Sequence, residues 1–171
     1  SATDQSVETL VGVNILNAVS GALNKTVLFS DQTTTESSTH QDLTQLISDL
    51  NAGKIKLLIV DDSNPVYALP PSMGFLQALK KTFVVSLASQ KSETTHTANL
   101  VLPALTAYES WGDAFPRNGV RSIQQPVMST VNMFDARARE DILLSVAQNV
   151  NKKAFSENSS YLDYLQNIWQ K

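Results

Sequence analysis

The chain has 171 residues, of which 42% are hydrophobic, and its formal net charge at pH 7 is −3. This length and hydrophobic content fit one domain with a buried core, and the scattered lysines and arginines lack the positive stripe that nucleic acids require, so no nucleic-acid partner is expected. The complete lack of cysteine excludes disulfides, thiolate nucleophiles and thiolate-held iron–sulfur clusters from this chain.

The first 39 residues are predicted to form a helix, a strand and a loop. Apolar residues recur at helical spacing between about residues 6 and 23, which favours one long helix. The most apolar part of this helix, residues 10–23, is too short and too polar to span a bilayer, so we expect no direct membrane insertion. The β-branched and aromatic run from Thr26 to Phe29 predicts a strand, and the hydroxyl-rich residues 30–39 predict a loop.

The central region predicts a helix followed by a buried strand. Apolar residues between Leu43 and Leu50 follow a helical period. Thr39 can cap the start of this helix, and Gly53 can end it in a left-handed conformation. The run Ile55–Val60 is apolar at all positions but one, which predicts a strand buried on both faces of a sheet. Because a helix joins it to the strand at residues 26–29, crossover rules predict that the two strands are parallel neighbours.

Two more strands are predicted beyond the end of this strand. Asn64 and Pro65 follow that end; the proline stops the strand, and the asparagine amide is expected to point outward. A short helix is expected from Ser72, then strands at Phe83–Leu87 and Ala98–Leu102. Because carboxyl ends of parallel strands meet at one edge of a sheet, the polar residues after them form a candidate ligand site. An ordinary Asx-Pro turn is the alternative explanation of the asparagine and proline pair.

The C-terminal third is predicted to add an edge strand and two helices. The sequence before it is irregular apart from a turn at Pro116–Gly119, and Val120–Val127 predicts a short edge strand. Helical spacing predicts a helix at Asp135–Val150. The capping-box pair Ser160 and Asp163 predicts a last helix with an aromatic stripe.

These elements define the fold class as α/β, a Rossmann-like three-layer domain with a mostly parallel sheet flanked by helices. Residues 1–171 are expected to form a single domain. Within it, residues 151–171 are expected to form a C-terminal helix that packs on this domain or on a neighbouring one. Because the chain starts at Ser1, with no initiator methionine and no signal pattern, we expect it to be a mature form or an excised fragment of a longer protein.

The sequence contains no recognisable catalytic motif or metal-ligand set. Its glycines are too widely spaced to build a dinucleotide fingerprint or a phosphate-binding loop. His40 and His96 have no second histidine or cysteine at ligand spacing, so no metal site is expected. Glu109 either forms an ion pair with Arg117 or Arg121 or takes part in catalysis.

Three runs of the sequence resemble the molybdopterin oxidoreductase superfamily, within a region from about Leu43 to Val150. They are LLIVDDSNP at residues 57–65, SETTHTANLVLP at residues 92–103 and ESWGD at residues 109–113. The second run is the most specific, because it is similar to the family's Glu-Thr-Ala and Ala-Asp-Val-Val-Leu-Pro pattern. The resemblance implies a Rossmann-like domain that helps to hold one of two pterin guanine dinucleotides, and it identifies the longer protein as an oxidoreductase subunit.

The resemblance also implies a set of cofactor-binding residues. Carried over by position, they are Asn64, Ser86, Glu93 and Thr94. Hydroxyl, amide and backbone N–H groups at neighbouring strand ends suit a pyrophosphate and a guanine edge. In such proteins the chemistry belongs to the cofactor and to other domains, so no catalytic residue and no metal ligand is expected here.

Several positions depart from the family pattern. Asp62 stands where the family has glycine and adds a charge that would repel phosphate. Asn99 stands where the family has aspartate, and the residues after Glu109 differ from the family's Gly-Thr and Asn-x-Glu-Gly-Arg motifs. The ESWGD run, Gln125-Pro126 and the last helix are instead similar to the large iron–sulfur subunit of alternative complex III, in which the molybdopterin-like domain has lost its cofactor.

The resemblance leaves three hypotheses. The first is a cofactor-free scaffold domain of a membrane-associated, quinol-oxidising respiratory complex, at its periplasmic face, with an iron–sulfur part and other subunits as partners. It implies that this chain alone binds no cofactor and is not catalytic by itself, and that Asp62 and Trp111 occupy the space of a dinucleotide. The second is a domain of a working molybdenum enzyme that contacts molybdopterin guanine dinucleotide. The third is a free-standing nucleotide-binding module of flavodoxin type.

Overall fold

A computed structural model describes residues 7–28, 38–117, 119–130, 134–155 and 158–170. The chain divides into two compact units. The first is drawn from Ser1–Thr35 and Phe115–Val120, and the second from Glu36–Ala114 and Arg121–Lys171. The candidate site belongs to the second unit.

Helix α1 of the first unit, Val7–Val19, is shorter than the predicted helix at residues 6–23. It ends because Gly21 adopts a left-handed conformation, with a φ of 68°. The amide of Gly21 then donates to the Ala18 carbonyl at 3.1 Å, and the amide of Ala22 donates to the Asn17 carbonyl at 3.0 Å. This is the Schellman arrangement, which commonly ends helices. The helix therefore stops before the apolar pattern of the sequence does.

The strand predicted from Thr26 to Phe29 is wrong for its described residues, 26–28. Val27 lies in a tight turn and makes an isolated bridge with Leu23. Its amide donates to the Ala22 carbonyl and its carbonyl accepts from the Asn24 amide. These local bonds use the groups that a neighbouring strand would need. Phe29 and residues 30–37 of the predicted loop lie outside the described residues.

The second unit contains a parallel sheet of three described strands, β1 (Leu57–Asp61), β2 (Phe83–Ala88) and β3 (Leu100–Pro103), in the order β1-β2-β3. In the register of the sheet, Ser86 lies between Val60 on one side and Val101 on the other. The predicted α/β class is thereby confirmed, and all three strands end at the same edge.

Helix α2 (His40–Asn51) packs against this sheet and confirms the central helix prediction. Thr39 caps its start in a reciprocal capping box with Asp42. Gly53, at a φ of 70°, follows its end. The apolar side of α2 joins the main buried cluster, whose members come from two helices and two strands: Ile47, Leu50, Val60, Phe75, Ala78, Leu79 and Val84.

The prediction that the strand at Ile55–Val60, observed as β1, is buried on both faces is wrong. Val60 is buried on the face that α2 covers, whereas Leu57 and Ile59 are 53% and 43% exposed on the other. Side chains alternate along a strand, so a helix layer on one face leaves every second residue of β1 open within the described residues.

Four short helical segments follow the first two strands. Helix α3 (Pro65–Ala68) starts directly after Asn64, and a 3₁₀ turn at Pro71–Met73 leads to α4 (Phe75–Leu79). Helix α5 (Glu93–Thr97) follows β2. The sequence does not predict α5, because it is only five residues long and lacks an apolar period.

A small second sheet pairs β4 (Gly112–Arg117) with β5 (Val120–Gln124). The sequence predicts β5 but treats β4 as irregular, since glycine, aspartate and proline are poor strand formers. Gly119, with a φ of 74°, lies in the turn between them. The pairing across this turn, and not the intrinsic preference of β4, makes it a strand.

Helix α6 (Arg139–Val150) starts four residues later than predicted. Arg137 is held in extended backbone by a bridge to Ala104, in which the Leu105 amide donates to the Arg137 carbonyl at 3.0 Å. Helices α7 (Lys152–Phe155) and α8 (Tyr161–Trp169) complete the chain. The amide of Tyr161 donates to the Asp141 carboxylate at 2.7 Å, which joins α8 to α6.

The capping box at Ser160 is confirmed as the start of α8. Tyr161 and Tyr164 stack with ring centroids 5.9 Å apart, and Leu165 of the same helix is buried. Among the described residues, no helix has both the length and the apolar character needed to cross a membrane.

Truncating the centre of the apolar cluster should be costly. Leu50 is fully buried, so Leu50→Ala should lower the free energy of unfolding by roughly 2–5 kcal/mol. Leu57→Ala removes the same atoms from the exposed face of β1 and should cost less than about 1 kcal/mol. Urea denaturation of both variants measures the difference, and equal losses would contradict the described layer arrangement.

Candidate functional site

A cleft of about 440 Å³ opens at the carboxyl ends of β1 and β2. It is lined by residues at and after the ends of the two strands, all but one of them polar, namely Asp62, Ser63, Asn64, Ala88, Ser89, Gln90, Lys91, Ser92 and Glu93. This is the edge at which open α/β sheets bind ligands, because backbone N–H groups and short helices converge there. The sequence-based prediction of the site's location agrees with this cleft.

The side chain of Asn64 is bonded to helix α5 and does not point outward as expected. Its Nδ2 donates to Glu93 Oε2 at 2.7 Å. Its Oδ1 accepts from the hydroxyl of Thr94 at 2.8 Å and from the amide of Thr94 at 3.2 Å. Thr94 Oγ1 in turn accepts from the Val66 amide at 3.2 Å. Asn64 therefore ties the end of β1 to the helix that follows β2.

The four predicted cofactor-binding residues differ in accessibility. Asn64 and Glu93 line the cleft. Thr94 is fully buried, and Ser86, in the middle of the sheet, is 1% exposed. The structure thus brings Asn64, Glu93 and Thr94 into one hydrogen-bonded group and places Ser86 among the strands. Their role in holding a cofactor stays a prediction.

Asp62 has a left-handed backbone, with a φ of 39°. This conformation favours glycine, which is the residue that the resembling family has here. The carboxylate of Asp62 accepts from the Ser89 hydroxyl at 3.1 Å and from the Ser89 amide at 3.4 Å. Its other oxygen accepts from Arg139 Nη2 at 3.2 Å.

Arg139 is a site residue that sequence reasoning did not identify. It starts α6, 77 positions after Asp62, and Nη1 also lies 3.3 Å from Asp61 Oδ1. One guanidinium thereby pairs with two adjacent carboxylates at the end of β1. The sequence carried no signal for this contact, because it depends on where α6 packs.

These contacts lower the pKa of two acids. Partial burial alone would raise the pKa of Asp62, but the hydrogen bonds from Ser89 and the charge of Arg139 together lower it. The hydrogen bond from Asn64 lowers the pKa of Glu93. Both carboxylates are therefore charged at neutral pH, and a ligand phosphate in this cleft would meet negative charge from the protein.

A second and larger cleft of about 630 Å³ lies at the ends of β2 and β3. Its lining includes Gln90, His96 and Glu109. Glu109 Oε2 accepts from the hydroxyl of Thr106 at 2.8 Å and from its amide at 3.1 Å, so it braces the turn that follows β3. Trp111 is not among the residues that line these two clefts, although the scaffold hypothesis places it in the dinucleotide's space.

Asn99 explains one of the departures from the family pattern. Its side-chain Oδ1 accepts from the Val84 backbone amide at 2.8 Å, and the backbone amide of Asn99 donates to the Val84 carbonyl at 2.9 Å. The position needs an oxygen acceptor, which either asparagine or aspartate supplies. The change from aspartate therefore removes a charge but keeps the bond that starts β3.

A separate polar cluster contains residues of strand β4 and of helices α6 and α8. The hydroxyl of Tyr161 donates to Asp113 Oδ1 at 3.0 Å, and burial and this bond raise the pKa of Tyr161. Glu140 is half-buried, and its Oε2 has no hydrogen-bond partner among the described residues. Burial raises the pKa of Glu140. Among the described residues no group of three or more histidine, aspartate or glutamate side chains could hold a metal ion.

Comparison with known proteins finds distant relatives among reductases and reductase subunits. No family model matches the sequence. It is 34% identical over 114 residues to the menaquinone reductase, molybdopterin-binding-like subunit, of Nitratidesulfovibrio vulgaris, a match that covers 62% of this chain and 16% of that protein. It is 29% identical over 118 residues to a nitrate reductase of Symbiobacterium thermophilum, covering 69% of this chain and 15% of the relative.

A third relative, trimethylamine-N-oxide reductase 1 of Escherichia coli, is 27% identical over 119 residues, covering 68% of this chain and 14% of that protein. The chain therefore spans less than a fifth of the length of each relative. Together with the α/β fold, these distant similarities support the molybdopterin oxidoreductase superfamily as the class of this protein. The comparisons do not extend to alternative complex III, so that finer resemblance stays a prediction.

Removing the Thr94 hydroxyl should destabilise the site. Thr94→Val keeps the shape of the side chain but leaves the Val66 amide without its partner and Asn64 Oδ1 with the Thr94 backbone amide alone, so the free energy of unfolding should fall by about 1–3 kcal/mol. Thr44→Val is a matched control, because the exposed Thr44 hydroxyl donates to a carbonyl of its own helix. Chemical denaturation compares the two, and an equal effect would contradict the role of Thr94.

Glu140→Gln should stabilise the chain at neutral pH. The folded-state pKa of Glu140 is raised, so the stability from its protonated form is complete below its ordinary value of 4.5 and is lost as the pH rises through the folded-state pKa. The variant should therefore melt higher than the wild type at pH 7 and at the same temperature near pH 4.

Glu93→Gln provides a control of opposite sign. The folded-state pKa of Glu93 is lowered, so its contribution is present above its ordinary value of 4.5 and is lost as the pH falls through the folded-state pKa. The variant should melt lower than the wild type at pH 7, and the difference should vanish in acid. Thermal melts between pH 3 and 8 measure both, and a pH-independent effect in either variant would contradict the assignment.

Proposed function

We propose that this chain is a cofactor-free scaffold domain of a molybdopterin oxidoreductase-family subunit. The subunit works in a membrane-associated, quinol-oxidising electron-transfer complex related to alternative complex III, at the periplasmic face. The chain contributes no catalytic residue. Its partners are the other domains of the same polypeptide, including an iron–sulfur part, and the remaining subunits of the complex.

The single observation that carries this proposal is that hydrogen-bond donors at the carboxyl ends of β1 and β2 are already bonded to a side chain of the protein. The Asp62 carboxylate takes the Ser89 and Arg139 donors. These are the kinds of group that would bind a pyrophosphate in a nucleotide-binding domain. Two ionised acids, Asp62 and Glu93, face the same cleft. The residues present therefore do not fit a dianionic pyrophosphate at this edge, and we derive no step through a bound cofactor.

The comparisons add support of a general kind. The Nitratidesulfovibrio vulgaris relative is described as a molybdopterin-binding-like subunit of a menaquinone reductase, which is a quinone-linked activity. A scaffold derived from a cofactor-binding domain accounts for two facts together. The sequence runs at residues 57–65 and 92–103 resemble the family pattern, while Asp62 changes the charge at the ligand edge.

The second candidate is a cofactor-holding domain of a working molybdenum oxidoreductase that contacts molybdopterin guanine dinucleotide. Two relatives are described as nitrate reductase and trimethylamine-N-oxide reductase, which favours this alternative. The open cleft of about 440 Å³ beside Asn64 also favours it. This alternative requires that Asp62 and Arg139 separate when the cofactor binds.

Metal content separates the two candidates. The natural subunit should be purified with its partners, and molybdenum and iron should be measured per polypeptide by mass spectrometry. We expect iron without molybdenum, since the iron–sulfur part lies in other domains. Stoichiometric molybdenum would overturn the scaffold proposal and support the enzyme candidate.

The same preparation allows a second comparison. In the enzyme candidate, Asn64→Ala should lower the molybdenum content several-fold while the iron content stays constant, because the cleft wall loses its amide. In the scaffold, the substitution should leave both metal contents unchanged. Lys54→Ala, which removes an exposed pair with Asp49, is the control for handling losses.

A further inference from the structure

Three hydrogen-bond donors converge on one carboxylate at the end of β1. The Ser89 amide and hydroxyl reach Asp62 Oδ1 at 3.4 and 3.1 Å, and Arg139 Nη2 reaches Oδ2 at 3.2 Å. A backbone amide, a hydroxyl and a guanidinium around a single negative group are the composition of a phosphate-binding site. Here the negative group belongs to the chain itself.

The donors are held in place by contacts other than Asp62. Arg139 lies 3.3 Å from Asp61 and its side chain is largely shielded from solvent. Ser89 follows β2, whose pairing with β1 continues to the end of the strand through Asp61 and Leu87. The donor set is therefore expected to persist when the Asp62 carboxylate is removed.

The backbone of residue 62 does not need an aspartate. Its amide donates to the Leu87 carbonyl at 2.8 Å, and its φ of 39° is a conformation that glycine adopts without strain. An aspartate at this position carries a conformational cost, which the bonds of its carboxylate to Ser89 and Arg139 offset. The side chain thus contributes through its charge.

We propose that Asp62 is a built-in anion that closes a latent phosphate or diphosphate site made by Ser89 and Arg139. With the carboxylate in place, the edge holds its own negative charge and leaves no donor of this set for an outside phosphate. With glycine in its place, the same donors take an inorganic phosphate or the diphosphate of a nucleotide. This inference deepens the proposed function. It rests on that function in one respect, namely that the longer protein works with Asp62 bound to Ser89 and Arg139.

The charges around the set limit the strength of binding and make it measurable. Asp61 remains beside Arg139, and Glu93 lines the cleft, so both weaken the attraction for an anion. Lys91 lines the same cleft and strengthens it. Removing Asp62 changes the local charge by one unit in favour of an anion. We therefore expect at least a tenfold gain in affinity for pyrophosphate and a smaller gain for monophosphate.

The test uses the 171-residue chain and inorganic pyrophosphate as the probe. Asp62→Gly should bind pyrophosphate at least tenfold more tightly than the wild type, as measured by calorimetry at low ionic strength. The Ser89 amide resonance should move during the titration. Adding Arg139→Gln to Asp62→Gly should remove the gain, because the guanidinium is lost.

Asp135→Gly is the matched control. Asp135 also has a left-handed backbone, with a φ of 49°, and its carboxylate lies 3.8 Å from Arg137 on the exposed surface. The substitution makes the same change of residue and of net charge at another place. It should not improve pyrophosphate binding. An equal gain would mean that the change in net charge alone explains the effect, and it would overturn the proposal.

A folded Asp62→Gly variant without the tenfold gain would also overturn the proposal. If that variant does not fold, Asp62→Asn replaces it, since asparagine tolerates positive φ and removes the charge. It should bind pyrophosphate at least threefold more tightly than the wild type, and no gain would count against the site. The outcome is independent of the metal analysis of the natural subunit, so failure of one test is distinguishable from failure of the other.

Discussion

The amide of Asn64 is the contact on which the ligand-facing edge of this sheet depends. Parallel strands leave backbone groups at their carboxyl ends that the sheet does not satisfy, so the following loops need other partners. Asn64 bonds both Glu93 and the buried Thr94, and Thr94 accepts the amide of Val66. Because these bonds join helices α3 and α5, the loops after β1 and β2 behave as one bonded structure.

The residues that determine the charge at this edge of the sheet are not those that hold its loops together. Asp61 and Asp62 share the guanidinium of Arg139, so three charged groups are balanced within the protein to a net charge of −1. A domain that relies on a bound cofactor would leave such a cation for the ligand's phosphate. Here the edge keeps a cleft at the strand ends while Asp62 supplies the anion, and this is the observation behind the proposed scaffold role.

The location of the candidate site was predictable, and its bonding was not. The family pattern pointed to Asn64, Glu93 and Thr94, and the structure joins these three residues. The left-handed backbone of Asp62 agrees with the glycine of the pattern, but it was not predicted from the sequence. In contrast, Arg139 reaches Asp62 across 77 positions, and the burial of Ser86 depends on its strand neighbours. Neither fact can be recognised from the residues next to Arg139 or Ser86 in the sequence.

The sequence by itself determined the elements whose signals are local. Helices α2 and α8 start at capping boxes formed within four residues, and α1 ends at a glycine with positive φ, so short-range hydrogen bonds fix them. Tertiary structure decided the rest: the bonds that join helix α5 to Asn64, the open face of β1 and the pairing of Asp62 with Arg139. These depend on groups distant in the chain, whose contacts contribute only after the sheet and helices have packed.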